Sequence, residues 1–193
     1  MMTDIRSSLC LARSSIDDLL ASEQTLLMID HIVRLFVETF QNGHKIIVCG
    51  NGGSCCDAMH FAEEFTGRFN KNRPALPVLA LADPGHITCV ANDFGFDAIF
   101  QRGVEAFGHE HDVFLALTTS GNSQNIVNAF QEAQAKKMKT VIFNGKTGGT
   151  LKGLADYEVF IPGKTSDRIQ EVHMLVLHAI IEQVEYALFP DLK

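Results

Sequence analysis

Five short apolar stretches constrain this chain most: 45–49, 77–82, 112–118, 140–144 and 157–161. They alternate with segments of helical periodicity at 54–68, 84–91, 96–107, 123–136 and 166–188. Strands that are apolar at nearly every position, rather than every second one, are buried on both faces, and the intervening helices supply the crossovers of parallel strands. The expected fold is therefore α/β, a three-layer, doubly wound, parallel five-stranded sheet. Turns such as Asn144-Gly145, Gly148-Gly149 and Pro162-Gly163 punctuate it. Ahead of the sheet, residues 4–41 repeat Leu19, Leu26, Ile29, Val33, Phe36 and Phe40 at helical spacing and stop at Asn42-Gly43. A break near Ala21-Ser22 predicts two helices. Their apolar face has no strand partner in sequence and needs other helices, including those of another subunit. At 193 residues, without a linker, repeat or low-complexity tract, the chain is expected to form one domain. Residues 1–43 are its N-terminal helical extension and 44–193 its core.

Composition excludes several classes. A formal net charge of -7 argues against a nucleic-acid partner, and Lys136-Lys137-Met138-Lys139 reads as the solvated end of a helix. No apolar run reaches membrane-spanning length, and the first residues lack the apolar stretch of a signal peptide. Five cysteines (Cys10, Cys49, Cys55, Cys56, Cys89) form an odd set without CxxC spacing. Reduced, mostly buried thiols in the cytoplasm are the expectation. Cys55 and Cys56 open a helix, where a thiol pKa can be lowered; packing and catalysis both remain open for them.

Two turns carry the chemistry. The first strand stops at Gly50-Asn51-Gly52-Gly53-Ser54, and a helix follows at once. This is the arrangement in which free backbone N–H groups and the positive helix end meet an anionic or polyhydroxy ligand. It is not a nucleotide signature: a dinucleotide fingerprint needs glycine where Cys55 stands, and no Gly-Lys-Ser/Thr follows for a phosphate-binding loop of the Walker type. One helical turn apart, His60 and Glu64 share a face, while Glu63 is expected to point about 100° away. At the end of the third strand runs Thr118-Thr119-Ser120-Gly121-Asn122-Ser123. One hydroxyl there would be an ordinary helix cap, but four in six residues suit phosphate oxygens. Both turns lie at strand carboxyl ends, where open α/β sheets bind ligands. Asn92-Asp93 is either a cap or an acceptor for sugar hydroxyls.

The last helix sets Gln170, His173 and His178 among apolar residues. Gln170 and His178 are separated by about 12 Å along a straight helix. If both serve one site, they come from different subunits or the helix is irregular.

Taken in order, Gly50-Asn51-Gly52-Gly53-Ser54, His60-Phe61-Ala62-Glu63-Glu64, Asn92-Asp93-Phe94-Gly95, Thr119-Ser120-Gly121-Asn122-Ser123 and Asp167-Arg168-Ile169-Gln170-Glu171 resemble the SIS (sugar isomerase) domain family across essentially the whole chain. The resemblance implies an SIS-type fold and an aldose–ketose isomerase. The implied reaction converts sedoheptulose 7-phosphate to D-glycero-D-manno-heptose 7-phosphate, for ADP-heptose and lipopolysaccharide inner-core biosynthesis. By the same resemblance Asn51, Gly52, Gly53, Glu64, Asn92, Asp93, Thr118, Thr119, Ser120, Ser123 and Gln170 bind substrate. His60, Glu64, Gln170 and His178 hold one zinc per subunit, and Glu64 and His178 form the acid–base pair. It further implies a homotetramer with sites shared between subunits.

Moving a proton between adjacent carbons through an enediol needs a positioned base and stabilisation of the developing oxyanion. Glu64 would be that base, with His178 assisting ring opening or shuttling the hydroxyl proton. Two rivals share the fold: a noncatalytic SIS protein that binds a replication initiator, and a sugar-phosphate-sensing regulator. The first lacks the Glu64 and His178 pair, and the second has no need of a base.

Overall fold

The structure, a computed structural model, describes residues 2–191. Two helices open the chain: α1 (Met2–Leu20) and α2 (Glu23–Gln41), the latter capped by Ser22, whose hydroxyl accepts from the Thr25 backbone N–H. The sheet follows as β1 (Ile46–Gly50), β2 (Val78–Ala80), β3 (Val113–Leu117), β4 (Lys139–Gly145) and β5 (Tyr157–Ile161). Between the strands run α3 (Gly53–Thr66), α4 (Pro84–Phe94), α5 (Ile99–Phe107) and α6 (Gln124–Ala135), and α7 (Ser166–Leu188) closes the fold.

All strand pairs are parallel, in the order β2-β1-β3-β4-β5. The order reverses between β1 and β3, the switch point at which crevices open in such sheets. Alternate residues of each strand feed two separate cores. Ile46, Val48, Leu115, Phe143 and Val159 face α1, α2, α3 and α7, whereas Ile47, Cys49, Phe114, Ala116 and Ile142 face α4, α5 and α6. That pattern explains why β1 and β3 are apolar throughout.

Most expected boundaries hold within two residues. The exceptions are local. Helix α4 runs on to Phe94 and so takes Asn92 and Asp93 into its last turn. The predicted helix at 96–107 begins as a 3-10 turn over Phe96–Ala98. The thiols depart from expectation as well: only Cys49 is buried, while Cys10, Cys56 and Cys89 are exposed. No helix among the described residues is long and apolar enough to cross a membrane.

Helices α3 and α7 lie side by side and run in the same direction. Gln170 donates to Ser54 Oγ near their starts, His178 meets Glu64 farther along, and Glu185 reaches the segment just after α3. Arg73 locks that last level. Its fully buried guanidinium pairs with Glu185 at 3.0 Å and donates to the Glu64 and Phe65 carbonyls, which closes the open end of α3. Glu185 also accepts from the Lys71 backbone N–H.

Candidate active site

A cleft of about 100 Å3 opens at the switch point. It is lined by Asn51 and Ser54 of the glycine turn, Thr118, Thr119, Ser120 and Ser123 of the hydroxyl loop, and Ser166 and Gln170 of α7. Three helices therefore start at this cleft. None has a side-chain cap: Gly52, Ser123 and Thr165 occupy the cap positions of α3, α6 and α7 without a capping hydrogen bond. By contrast α2 and α4 are capped by Ser22 and Asp83. The cleft thus gathers backbone N–H groups and three positive helix ends, the requirements of an anion.

Its hydroxyls are arranged as donors. Thr118 Oγ1 accepts from the backbone N–H of Gly121 at 3.1 Å and of Ser120 at 3.4 Å. Ser120 Oγ accepts from the Asn122 N–H, and Ser54 Oγ from the Gln170 amide at 3.2 Å. With lone pairs engaged inside the protein, the O–H protons are left to donate to a guest that only accepts, as a phosphate dianion does. The loop's shape depends on Gly121, held at φ +66°, where a Cβ would collide with the Gly148 carbonyl. Asn122 ties the loop to the turn after β4 by accepting from the Thr150 N–H and hydroxyl.

A second cluster lies farther along α3 and α7. His60 Nε2 stands 3.3 Å and His178 Nε2 3.4 Å from Glu64 Oε1. The two imidazoles meet edge to face, and Phe69 stacks on His178. Glu64 is buried, and its Oε2 has no hydrogen-bond partner. Burial pushes its carboxyl above the usual range, opposed by His178 and then His60. These three residues offer ligand atoms within 4.8 Å of one another, the one such group of histidine, cysteine and carboxylate side chains among the described residues. Two imidazoles and a carboxylate with an idle buried oxygen fit a divalent cation and leave a coordination position open.

Not every expected site residue joins these groups. Gln170 lies on Ser54 in the cleft, two turns of α7 before His178. Since α7 is one continuous α-helix, a single chain does not bring the two side chains to one point. Asn92 and Asp93 are exposed on α4, where Asn92 donates to Asp93 and Cys89 approaches the same carboxylate. Asn51 lines the cleft, but its amide exchanges reciprocal 2.9 Å hydrogen bonds with buried Asn125. Glu63 does not point clear of His60: its carboxylate stands 3.9 Å from Nε2, because i+3 and i+4 are both neighbours on a helix. Cys55 is pushed up by burial rather than lowered by the helix end.

Several contributors were not expected from sequence. Asp57, one turn before His60, has a buried Oδ2 without a partner and a carboxyl pushed up to about 6 by burial. Asn125, Ser166 and Arg73 shape the surroundings. The His60–Asp57 spacing of three was a signal available in sequence; for Asn125 and Arg73, which reach across the fold, none was.

A family model described as "SIS domain" matches residues 13–145. The phosphoheptose isomerase of Fusobacterium nucleatum is 56% identical over 162 residues, which cover 84% of this chain and 84% of that protein. That of Vibrio cholerae is 48% identical over 182 residues, covering 94% and 95%. Among solved structures, phosphoheptose isomerase from Neisseria gonorrhoeae superposes with a TM-score of 0.89 at 30% identity, covering 95% of this chain and 98% of that one. The Francisella tularensis enzyme gives 0.89 at 34%, covering 95% and 97%.

Proposed function

The chain belongs to the phosphoheptose isomerases of the SIS-domain family, and from that premise we propose how its residues interconvert sedoheptulose 7-phosphate and D-glycero-D-manno-heptose 7-phosphate. The phosphate is held in the hydroxyl cleft by Thr118, Thr119, Ser120 and Ser123, with the bare starts of α3, α6 and α7 beneath it. Gly52 and Gly53 let the sugar approach the backbone. Glu64 takes the proton from the carbon next to the carbonyl and returns it to the neighbouring carbon of the enediol. His178 moves the hydroxyl proton and assists ring opening. The observation that carries this reading is the buried Glu64 carboxylate, one oxygen between two imidazoles and the other unpartnered.

His60, Glu64 and His178, joined by Gln170, are the proposed ligands of one zinc per subunit. When bound, the ion polarises the carbonyl oxygen as a Lewis acid. Gln170 lies two turns from His178 on its own helix, so we propose that the fourth ligand, together with Asn92 and Asp93, reaches the site from a neighbouring subunit. The size of the cleft supports this. At about 100 Å3 it is well below the roughly 300 Å3 at which small-molecule sites begin, so it holds the phosphate while the sugar extends beyond it. Exposed Ile5, Leu9, Leu20 and Leu27 on α1 and α2, with Leu175 and Tyr186 on α7, are apolar surface for a homotetramer. A groove of about 580 Å3 between α2 and α7, floored by Leu26, Ile29, Val33 and Ala179, adds to it. The enzyme would work in the cytoplasm at the entry to ADP-heptose and lipopolysaccharide inner-core synthesis, without nucleic-acid or membrane partners.

Turnover of sedoheptulose 7-phosphate, before and after chelation, tests the reading. Activity that disappears on chelation and returns with zinc is expected. A zinc-loaded protein that binds the sugar phosphate without converting it would instead be a sensor or a replication-initiator partner.

A further inference from the structure

The hydroxyl cleft is connected to a cation that lies outside it. Ser166, the first residue of α7, lines the cleft with its oxygen 3.1 Å from Thr119 Oγ1. Lys146, in the turn after β4, donates from Nζ to Ser166 Oγ at 3.2 Å. An ammonium only donates. Lys146 therefore engages a lone pair of Ser166, which leaves the Ser166 proton free for Thr119 Oγ1 or for the guest, with either hydroxyl able to donate to the other.

Two further observations bear on Lys146, which is solvent-exposed. No carboxylate among the described residues forms an ion pair with it, and no residue lining the cleft is itself a cation. Its backbone is held at φ +50°, a left-handed conformation that a side-chain-bearing residue adopts at a cost of about 1 kcal/mol. Glycine would fill that position without strain. An unpaired charge kept in a strained turn, two hydrogen bonds from Thr119, is placed to act on what binds there.

We propose that Lys146 and Ser166 determine the specificity of this subsite for a doubly charged phosphate monoester. Lys146 supplies the positive charge that the cleft's own lining lacks, and Ser166 transmits it to Thr119. The proposal rests on the isomerase reading for the sugar, but on the cleft geometry alone for the anion.

The test is calorimetric titration of the full-length, metal-loaded protein with inorganic phosphate, alongside steady-state kinetics on the sugar phosphate. Lys146→Gln should weaken phosphate binding about tenfold, and Ser166→Ala about fivefold, since each removes part of a charge-assisted chain. Lys146→Arg, which keeps the cation, should stay within about threefold. KM should rise in step with the phosphate Kd while kcat stays within about twofold, because the phosphate is bound alike in ground and transition states. Added salt should weaken phosphate binding by the parent more steeply than by Lys146→Gln. If both Lys146→Gln and Ser166→Ala bind phosphate as tightly as the parent, or if Lys146→Gln lowers the melting temperature and leaves the salt slope unchanged, the proposal fails whatever the turnover. A parent that binds phosphate, is weakened by both changes and does not isomerise the sugar upholds it and overturns the isomerase reading alone.

Discussion

As the proposed base, Glu64 would have to be basic enough to accept a proton from carbon while standing between two imidazoles that, when charged, draw its pKa down. Burial acts in the opposite direction and prevails, so the carboxyl lies above the ordinary range. Glu64→Gln keeps the shape and removes the proposed base. Turnover should fall by about 10²–10⁴-fold with the circular dichroism spectrum unchanged, and near-normal turnover would remove Glu64 from the mechanism. His173 gives the contrasting case. It is fully buried, with Nε2 on the Asn144 carbonyl and Nδ1 unpartnered, and burial lowers its pKa to about 4. The folded protein therefore keeps His173 neutral where the unfolded chain takes up a proton. Its contribution is whole above pH 6.5 and is lost as pH falls towards about 4. Acidifying from about pH 7.5 to about pH 5 should cost the parent about 2 kcal/mol more than His173→Met in urea unfolding; equal losses would refute this. The two histidines of α7 were distinguishable in outline from sequence. Five positions separate them, which turns them to different faces, and the apolar pattern around His173 marks the inner one.

Among elements, the sheet and its helices were legible because parallel strands are apolar throughout and the turns between them carry glycine. The clamp that holds α3 against α7 was not. Arg73 sits in a polar stretch with no periodicity, and its partners Glu64, Phe65 and Glu185 come from two different helices. Arg73→Met would leave the Glu185 carboxylate buried and unpaired, so stability should drop by about 3–5 kcal/mol in denaturant titration. Arg73→Met combined with Glu185→Met should recover most of that loss, because the isolated charge is then gone. A double variant as unstable as the single one would show that the pair contributes by geometry rather than charge. Asn125 was hidden for a related reason: on α6 it reads as an ordinary polar position, and only the folded chain, which brings the glycine turn after β1 to it, reveals its exchange with Asn51.

For the whole molecule, the site was legible as two turns and a helix but not as two separate groups. Sequence motifs placed Gln170 and His178 on one helix, and the helical rise left two ways for both to reach one point, different subunits or an irregular helix, of which the continuous α7 removes the second. If subunits complete the site, assembly and catalysis should fail together. Leu20→Glu with Leu27→Glu, both on exposed apolar positions, should lower the sedimenting mass from that of the proposed tetramer to that of fewer chains. Turnover should fall in parallel while the melting curve of the separated chains stays cooperative. Full turnover by a monomer would overturn the shared site.

The three helices that start without caps carry a further consequence. Ordinary proteins secure such openings with their own side chains, whereas here that duty would pass to the anion proposed for the cleft. The empty protein would then be the weaker form, and phosphate at about a hundred times its dissociation constant should add about 2.7 kcal/mol to its resistance to unfolding. Thermal melts in phosphate against a zwitterionic buffer of equal ionic strength would register this directly. In a cell, the same dependence would tie how long each copy survives to how much metabolite is there to occupy it.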